Sequence, residues 1–295
     1  MKYKVTVVYV IYKPETKTFR QSFNSIAGQV DNIIVVDNSS YVDPLLGDLL
    51  SLEKVFYIAN NENLGIAKAT NIGVEYAINN FGADGLLVFS DQDTIYAHDY
   101  IDKVIDTVNG INDAKVAVYT PYVFDNISSS FKKLYVKRNG FVCREYLFSE
   151  TQEIYQAIAS GMVINLMVLS DPPSMCDELF IDWVDFHWCW EVNNAGYKIL
   201  AVKDLVIKHA IGDDSTKLIN VSSKHSSLRN YYIVRNGLYL SLYSKNINIL
   251  IRFQVFMKSM LYIPLFLLNE YSAGNFKMLM KGCFHALTKR LGKYD

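Results

Sequence analysis

The sequence predicts an α/β fold, with a mostly parallel central sheet covered by helices on both faces and a helical region at the C-terminal end. Three observations carry this. Apolar, β-branched runs alternate with segments of helical periodicity. The runs are apolar at nearly every position, as strands buried on both faces are. Three of them stop abruptly at polar clusters, "VVDNSS", "NNENLG" and "FSDQDT".

The first strand is "KVTVVYVIY". A lysine-flanked apolar start can imitate a targeting segment, but this one is β-branched, too short for a membrane span and without a small-residue cleavage site. "TFRQSFNSIAGQ" places apolar residues at helical spacing and has a Gly near its end. "NIIVVDNSS" is the second buried strand and "VFYIANNEN" the third. "GIAKATNIGVEYAINNFG" is a helix closed by Gly82, and "GLLVFSDQD" is the fourth strand. In such sheets ligands sit beyond the carboxyl ends of the strands. Asp37, Asn63, Asp91 and Asp93 are therefore expected along one sheet edge.

Asp91 and Asp93 stand one residue apart at a strand tip. Such a pair can hold a hard divalent cation, Mg2+ or Mn2+, which prefers oxygen donors and commonly bridges phosphates. Aspartates also cap turns and helices, and the motif alone leaves both readings open. No GxGxxG follows the first strand and no GxxxxGK[ST] occurs, so neither a Rossmann dinucleotide site nor a P-loop is indicated.

Composition narrows the classes. The chain has 295 residues, 51% hydrophobic and 20% charged, with a net charge of −1, which argues against disorder and against a generally basic nucleic-acid binder. Its length suits one large domain or a domain with an added lobe. Cys143, Cys176, Cys189 and Cys283 lie far apart with no CxxC, so a zinc knuckle or disulfide framework is not expected and a reducing compartment fits.

Charge is unevenly spread. From Lys224 onward there are eleven Lys/Arg against two acids, Glu270 and Asp295, whereas the preceding 223 residues carry 18 basic and 28 acidic side chains. Within the tail, "NINILIRFQVFMKSMLYIPLFLLNEY" is apolar but interrupted by Arg252, Lys258 and Pro264, which argues against a full membrane span. Aromatic and aliphatic residues among spaced cations suit helices lying on an anionic membrane surface. A helical lobe packed on the body or on a second subunit is the alternative. The division expected is a body over 1–240 and a basic, apolar helical tail over 241–295.

The segments "VTVVYVIYKPE", "IIVVDNSS", "NNENLGIAKATNIGVEYA" and "LLVFSDQDT", in this order, resemble the family two glycosyltransferases of GT-A fold, in particular their bacterial rhamnosyltransferase branch. The resemblance continues through "IASGMVI", "ELFIDWVDFHWCWEVNNAGYKI" and "VIKHAIGDD", covering about residues 3–240. It implies that Asp37 hydrogen-bonds the nucleotide base beside Tyr12. Asn63, Gly65 and Asn71 would contact the nucleotide and donor sugar. Asp93 would be the principal metal ligand, Asp91 its partner in shaping the site, and His209 would approach the metal or diphosphate. Inverting sugar transfer needs a general base for the acceptor hydroxyl while the metal stabilises the departing diphosphate. Aligning the Trp-Cys pair makes Asp185 that base, with Asp182 the runner-up; both also suit a helix cap and first turn.

The sequence departs from the family in places. His187 and Glu191 stand where relatives often carry an acid and an arginine. Thr70 replaces the arginine that commonly precedes Asn71, and Lys68 is the candidate substitute contact for phosphate. Arg229 and Arg235 lie among tyrosines in "SSLRNYYIVRNGLYL", where they would meet a lipid-linked diphosphate acceptor or form a solvated helix face. Trp183, Trp188 and Trp190 crowd the base region, to stack on a sugar or fill the core. Ser160 and Gly161 would give the backbone access to the acceptor, or mark a tight packing site.

The expected activity is metal-dependent, inverting transfer of a sugar, L-rhamnose from dTDP-rhamnose, to a lipid-linked or polysaccharide acceptor in bacterial surface glycan synthesis. The enzyme would sit on the cytoplasmic face of the plasma membrane, with homo-oligomerisation through the tail a second use of that region. A UDP-hexose donor is the alternative, since Asp37 would accept from the N3–H of uracil or thymine alike. A non-catalytic assembly scaffold is the reading from a different class.

Overall fold

The computed structural model describes residues 3–41, 43–125, 129–146, 150–209, 227–269 and 272–294. The elements run β1 (Val5–Ile11), α1 (Thr16–Ala27), β2 (Asn32–Asp37), α2 (Gly47–Leu50), β3 (Val55–Ala59), α3 (Ile66–Phe81), β4 (Leu86–Asp91), β5 (Thr94–Tyr96) and α4 (Tyr100–Gly110). They continue with β6 (Val116–Asp125), β7 (Ser130–Phe131), β8 (Leu134–Arg138), β9 (Phe141–Glu145), β10 (Gln152–Ile154), β11 (Val163–Asn165), α5 (Val184–Asn194) and β12 (Lys198–His209). Three helices follow, α6 (Ser227–Tyr243), α7 (Ile249–Asn269) and α8 (Ala273–Leu287).

The central sheet has the order β10-β12-β6-β11-β4-β1-β2-β3. From β4 to β3 every pairing is parallel, as the apolar runs require. Beyond β4 the sheet is mixed: β11 lies antiparallel to both β4 and β6, while β6 and β12 are parallel to each other. The parallel expectation thus holds for the four strands read from the sequence. β11, foreshadowed only as a tight packing site in "SGMVI", is three residues long, too few to set a period or a direction.

Strand alternation explains why the runs are apolar throughout. Val8 and Val10 pack with Ile34, Val36, Leu87 and Phe89 on the face covered by α3 and α5. Val7, Tyr9 and Ile11 pack with Ile33, Val35 and Val88 on the other face, against Phe19, Phe23 and Ile26 of α1 and Val104 of α4. The three α1 residues fall at i, i+4 and i+7, one helix stripe.

The C-terminal helices form a small bundle with its own core, Val234, Leu238, Tyr262, Ile263, Phe266, Leu279 and Ala286. α6 runs uninterrupted through residue 240, so the expected boundary falls inside a helix. Packing decides this: one face of α6 meets the body and the other meets the bundle. α7 is also fixed to the body, because Gln254 accepts from Val142 N–H at 2.9 Å and donates to its carbonyl at 2.6 Å.

Among the described residues, Ile249–Leu268 is long and apolar enough to cross a membrane by length and composition. Arg252 inside it donates to the carbonyls of Ser241 and Leu242, closing the end of α6. Helix α7 is therefore built into the protein along one side. Phe253, Leu261 and Leu268 of α7 and Phe276, Phe284 and Leu287 of α8 remain exposed.

Candidate active site

The parallel registers bring the strand ends together. Ile11 lies opposite Asp37, and Val10 opposite Asp91, so β1 has a carboxylate at the tip of the strand on each side. Two strand spacings separate these positions by about 10 Å. The residue between the two aspartates has a use of its own. Gln92 accepts the Tyr12 N–H at 2.9 Å and ties the end of β1 to that of β4. Tyr12 is 43% exposed beside this edge. Asp37 is only 3% exposed, and its carboxylate accepts from Ser39 N–H at 2.7 Å and from the Tyr57 hydroxyl at 2.8 Å. Burial first, then the hydrogen bond to Asp37, raises the pKa of the Tyr57 phenol above its ordinary value, so Tyr57 remains the donor.

The loop before α3 meets the segment before α5. Asn63 Oδ1 accepts the Gly65 N–H at 3.0 Å, and Gly65 enters α3 at φ +85°. A Cβ there would lie 2.6 Å from both Cδ2 and the carbonyl oxygen of Phe180, so only glycine fits this crossing. The Ile66 N–H donates to that carbonyl at 2.8 Å.

Phe180 itself has φ 66° and ψ −61°, and the Ile181 N–H donates to Leu179 O at 2.8 Å, which together define a strained γ-turn. Asp182 and Trp183 follow at φ 62° and 67°. Non-glycine residues in such conformations cost on the order of 1–3 kcal/mol each and persist where the surroundings over-determine them.

This turn launches α5. Trp183 is its N-cap residue without a side-chain cap, and Asp185 occupies the first turn. Asp185 Oδ2 accepts the Ala159 N–H at 3.1 Å. A cavity of about 360 Å³ lies alongside, lined by Ser90, Asp91, Asp182, Trp183, Asp185 and Arg229 among its polar and aromatic groups, with Val8, Val10 and Phe89 as its floor. Burial first, then repulsion from Asp91, pushes the Asp185 carboxyl up to about 7. The helix dipole and the Ala159 amide favour the carboxylate, but desolvation outweighs them.

The other expected residues divide. Asp182 Oδ1 is paired with Arg229 Nε at 3.3 Å, both at the cavity wall. Asp93 lies in the turn between β4 and β5, partly exposed. The His209 backbone lies opposite Thr94 and Asp125, and its side chain lies outside the described residues.

Asn71 does not line the cavity. Its amide donates to Met175 O and Asp177 Oδ1 and accepts from Met175 N–H, while Lys68 pairs with Asp177 at 3.0 Å. Both residues thus hold the 175–177 loop. Ser160 is 1% exposed and shares a hydrogen bond with Thr94. Gly161, at φ +74°, packs where a Cβ would lie 2.9 Å from Pro121. The tight-packing alternative describes this pair, because both are enclosed.

Arg235, expected beside the acceptor, is fully buried. It donates to the carbonyls of Glu178, Leu179 and Gly292, so it is a structural arginine. Trp188 and Trp190 are core, and Trp183 alone of the three borders the cavity. The departures His187 and Glu191 face each other, Nε2 to Oε1 at 3.6 Å, one helical turn apart.

A divalent cation fits this edge in the kind of donor present, carboxylate oxygen from Asp91 and Asp93. Among the described residues, no three His, Cys, Asp or Glu side chains converge on one point. The ion would therefore complete its shell with phosphate oxygens or water.

Comparison with known proteins adds the family. The profile described as Glycosyl transferase family 2 matches residues 7–169. The chain is a family 2 glycosyltransferase. The transferase is 32% identical over 276 residues to dTDP-rhamnosyl transferase RfbF of Shigella flexneri, spanning 92% of this chain and 90% of that one. Its fold is similar to that of TarS residues 1–349 from S. aureus in complex with UDP-GlcNAc, with TM-score 0.59, 15% identity, and coverage of 97% of this chain and 81% of that one. It is also similar to GalNAc-T7 with UDP, GalNAc and Mn2+, with TM-score 0.57 and 15% identity. There it covers 98% of this chain and 58% of that one.

Residues that sequence reasoning missed serve mainly to hold others. Gln92, Tyr57, Ala159 and Asn236 each orient or brace a residue or segment of the site. Asn236 stands beside Arg235 in the quoted "VRNG", yet an uncharged amide gives no signal until its partners are seen.

Proposed function

We propose that the transferase moves L-rhamnose from dTDP-rhamnose to a lipid-linked or polysaccharide acceptor with inversion at the sugar carbon. The observation that carries the transfer chemistry is the Asp185 carboxyl facing the cavity that Asp91 lines at the tip of β4, where burial raises its pKa toward neutrality. The likeness to a dTDP-rhamnosyl transferase supports the donor.

In this reading the acceptor hydroxyl gives its proton to Asp185 as its oxygen bonds the anomeric carbon, and the bond from that carbon to the diphosphate breaks. A pKa near neutrality suits this task, because enough carboxylate is present at pH 7 and its conjugate acid is not too weakly held. Asp37 reads the base edge, braced by Tyr57, with Tyr12 beside it. Asp93 and Asp91 would hold Mg2+ or Mn2+, which when bound would supply positive charge to the departing diphosphate.

The exposed apolar side chains of α7 and α8, with Lys277, Lys281, Lys289 and Arg290 among them, support peripheral attachment to an anionic membrane surface, placed on the cytoplasmic face where nucleotide sugars are made available to surface glycan assembly.

The test is a screen of dTDP- and UDP-sugars with metal present, read first by thermal shift and then by transfer, since a ligand of the native state raises apparent stability. dTDP-rhamnose as the productive donor is the expected result. Turnover with a UDP-hexose in its place overturns the donor assignment and leaves the fold and the base untouched.

A further inference from the structure

We propose that Asn236, on the C-terminal bundle, is a positioning residue for sugar transfer: it holds the turn that aims Asp185 into the cavity. The proposal rests on the reading of Asp185 as the proton acceptor.

Asn236 is completely buried at the junction of α6 with the body. Its Nδ2 amide shares its two hydrogens among three carbonyls of the turn, Leu179 at 2.8 Å, Ile181 at 2.7 Å and Asp182 at 3.1 Å. The orientation of that amide is fixed, because Oδ1 accepts the Arg235 Nε–H at 2.8 Å. A side-chain amide flipped the other way would set its oxygen against three carbonyl oxygens.

Arg235 then adds its own donations to Glu178 O at 3.2 Å and Leu179 O at 3.0 Å. Tyr232 stacks on Phe180 at 5.2 Å with rings 17° from parallel, and the guanidinium lies 4.8 Å from the Tyr232 ring centroid. The Trp183 Nε1–H donates to Ile233 O at 3.0 Å. A Cβ at Gly237 would lie 2.2 Å from Ser259 Oγ and 3.2 Å from the Trp183 ring.

One turn of α6 therefore touches every residue from Glu178 to Trp183 with a hydrogen bond or ring contact. The same segment is also met by Gly65 and Ile66 at the start of α3. Three strained residues, Phe180, Asp182 and Trp183, lie in the segment these contacts hold. Their dihedrals set where α5 begins, and Asp185 lies two residues after Trp183. Without the α6 wall the turn relaxes toward ordinary backbone, and the start of α5 shifts by a fraction of its pitch. A displacement of about 1 Å is enough to cost 10²-fold in a reaction that depends on alignment.

The test compares Asn236→Asp, which keeps the shape and replaces the donors with acceptors, against wild type. Binding-competent sites are counted by titration with dTDP and UDP in the presence of Mn2+, and kcat per competent site and donor KM are measured. The expected result is a fall in kcat of about 30–300-fold with donor KM within about threefold, and Asn236→Gln, which restores an amide, recovers part of the loss. A variant whose kcat per competent site is unchanged, with only the melting temperature lowered, overturns the proposal. Should Asn236→Asp not fold, Asn236→Ser carries the same readouts with a single hydroxyl donor.

Asp185→Asn is measured in parallel. If it retains turnover, the reading of Asp185 fails and takes this proposal with it. If it loses turnover while both Asn236 variants keep wild-type kcat, the positioning role alone fails.

Discussion

The backbone amide of Ala159 donates to Oδ2 of Asp185 at 3.1 Å, joining the first turn of α5 to the segment that leads into β11. One carboxylate oxygen is thereby fixed, and the side chain borders the cavity that Asp91 also lines. Asp185→Asn keeps the volume and the acceptor for that amide but cannot take a proton. Turnover is expected to fall by about 10²–10⁴-fold, with nucleotide affinity retained. Steady-state kinetics beside a binding titration check this.

The same carboxyl sets the pH dependence. Its pKa of about 7 predicts that kcat/KM rises with pH through about 7 and falls away on the acid side, where Asp185 is protonated. Stability moves the other way. The folded pKa lies above the unfolded value, so the native state binds the proton more tightly, and stability is lost as pH rises from about 4 to about 7. Asp185→Asn removes that penalty and is expected to melt higher than wild type at pH 8, with the difference closing below pH 4. Melting curves across this range decide it.

Asp93→Ala is expected to abolish the rise in melting temperature that Mn2+ confers together with nucleotide, and to leave the melting temperature without ligand nearly unchanged. The residue sits in a partly exposed turn, where substitutions rarely disturb folding. A metal-dependent shift that survives the substitution assigns the ion to other ligands.

What could be read in the sequence follows the length of its signals. β1 to β4 were legible because continuous apolar runs ending in polar clusters have few other uses, and Gly82 closes α3 as expected, at φ +85°. Asp91 and Asp185, far apart in the sequence, line one cavity. The β8–β9 hairpin went unread although Asn139-Gly140, both at positive φ, is a strong two-residue turn signal. Lys68, Asn71 and Arg235 looked like ligand contacts because they are polar residues near a site, and only three-dimensional partners show that Met175, Asp177 and Gly292 occupy them. The turn over Phe180–Trp183 has little sequence signature, since of its residues only Asp182 is of a type that readily takes positive φ.

Tyr57→Phe removes the hydroxyl that donates to Asp37 at 2.8 Å. Stability is expected to fall by about 1 kcal/mol; if Asp37 contacts the base as proposed, donor KM rises several-fold with kcat preserved, because such a contact acts before and during the chemical step alike. Kinetics with varied donor concentration test this.

Gly65→Ala places a methyl group 2.6 Å from the Phe180 backbone at φ +85°. Overpacking and the backbone conformation together are expected to cost on the order of 2 kcal/mol or more. Denaturant unfolding measures the loss, and a stability within 0.5 kcal/mol of wild type contradicts the close crossing.

The grip of α6 on the segment before α5 has a consequence for how the enzyme comes into being. A nascent chain emerging as far as β12 already holds all its strands, the floor of the cavity and both aspartates at the tip of β4. Asn236 and Arg235 come later in the polypeptide. If α6 aims Asp185 as proposed, competence for transfer waits on a helix that leaves the ribosome after every strand of the sheet.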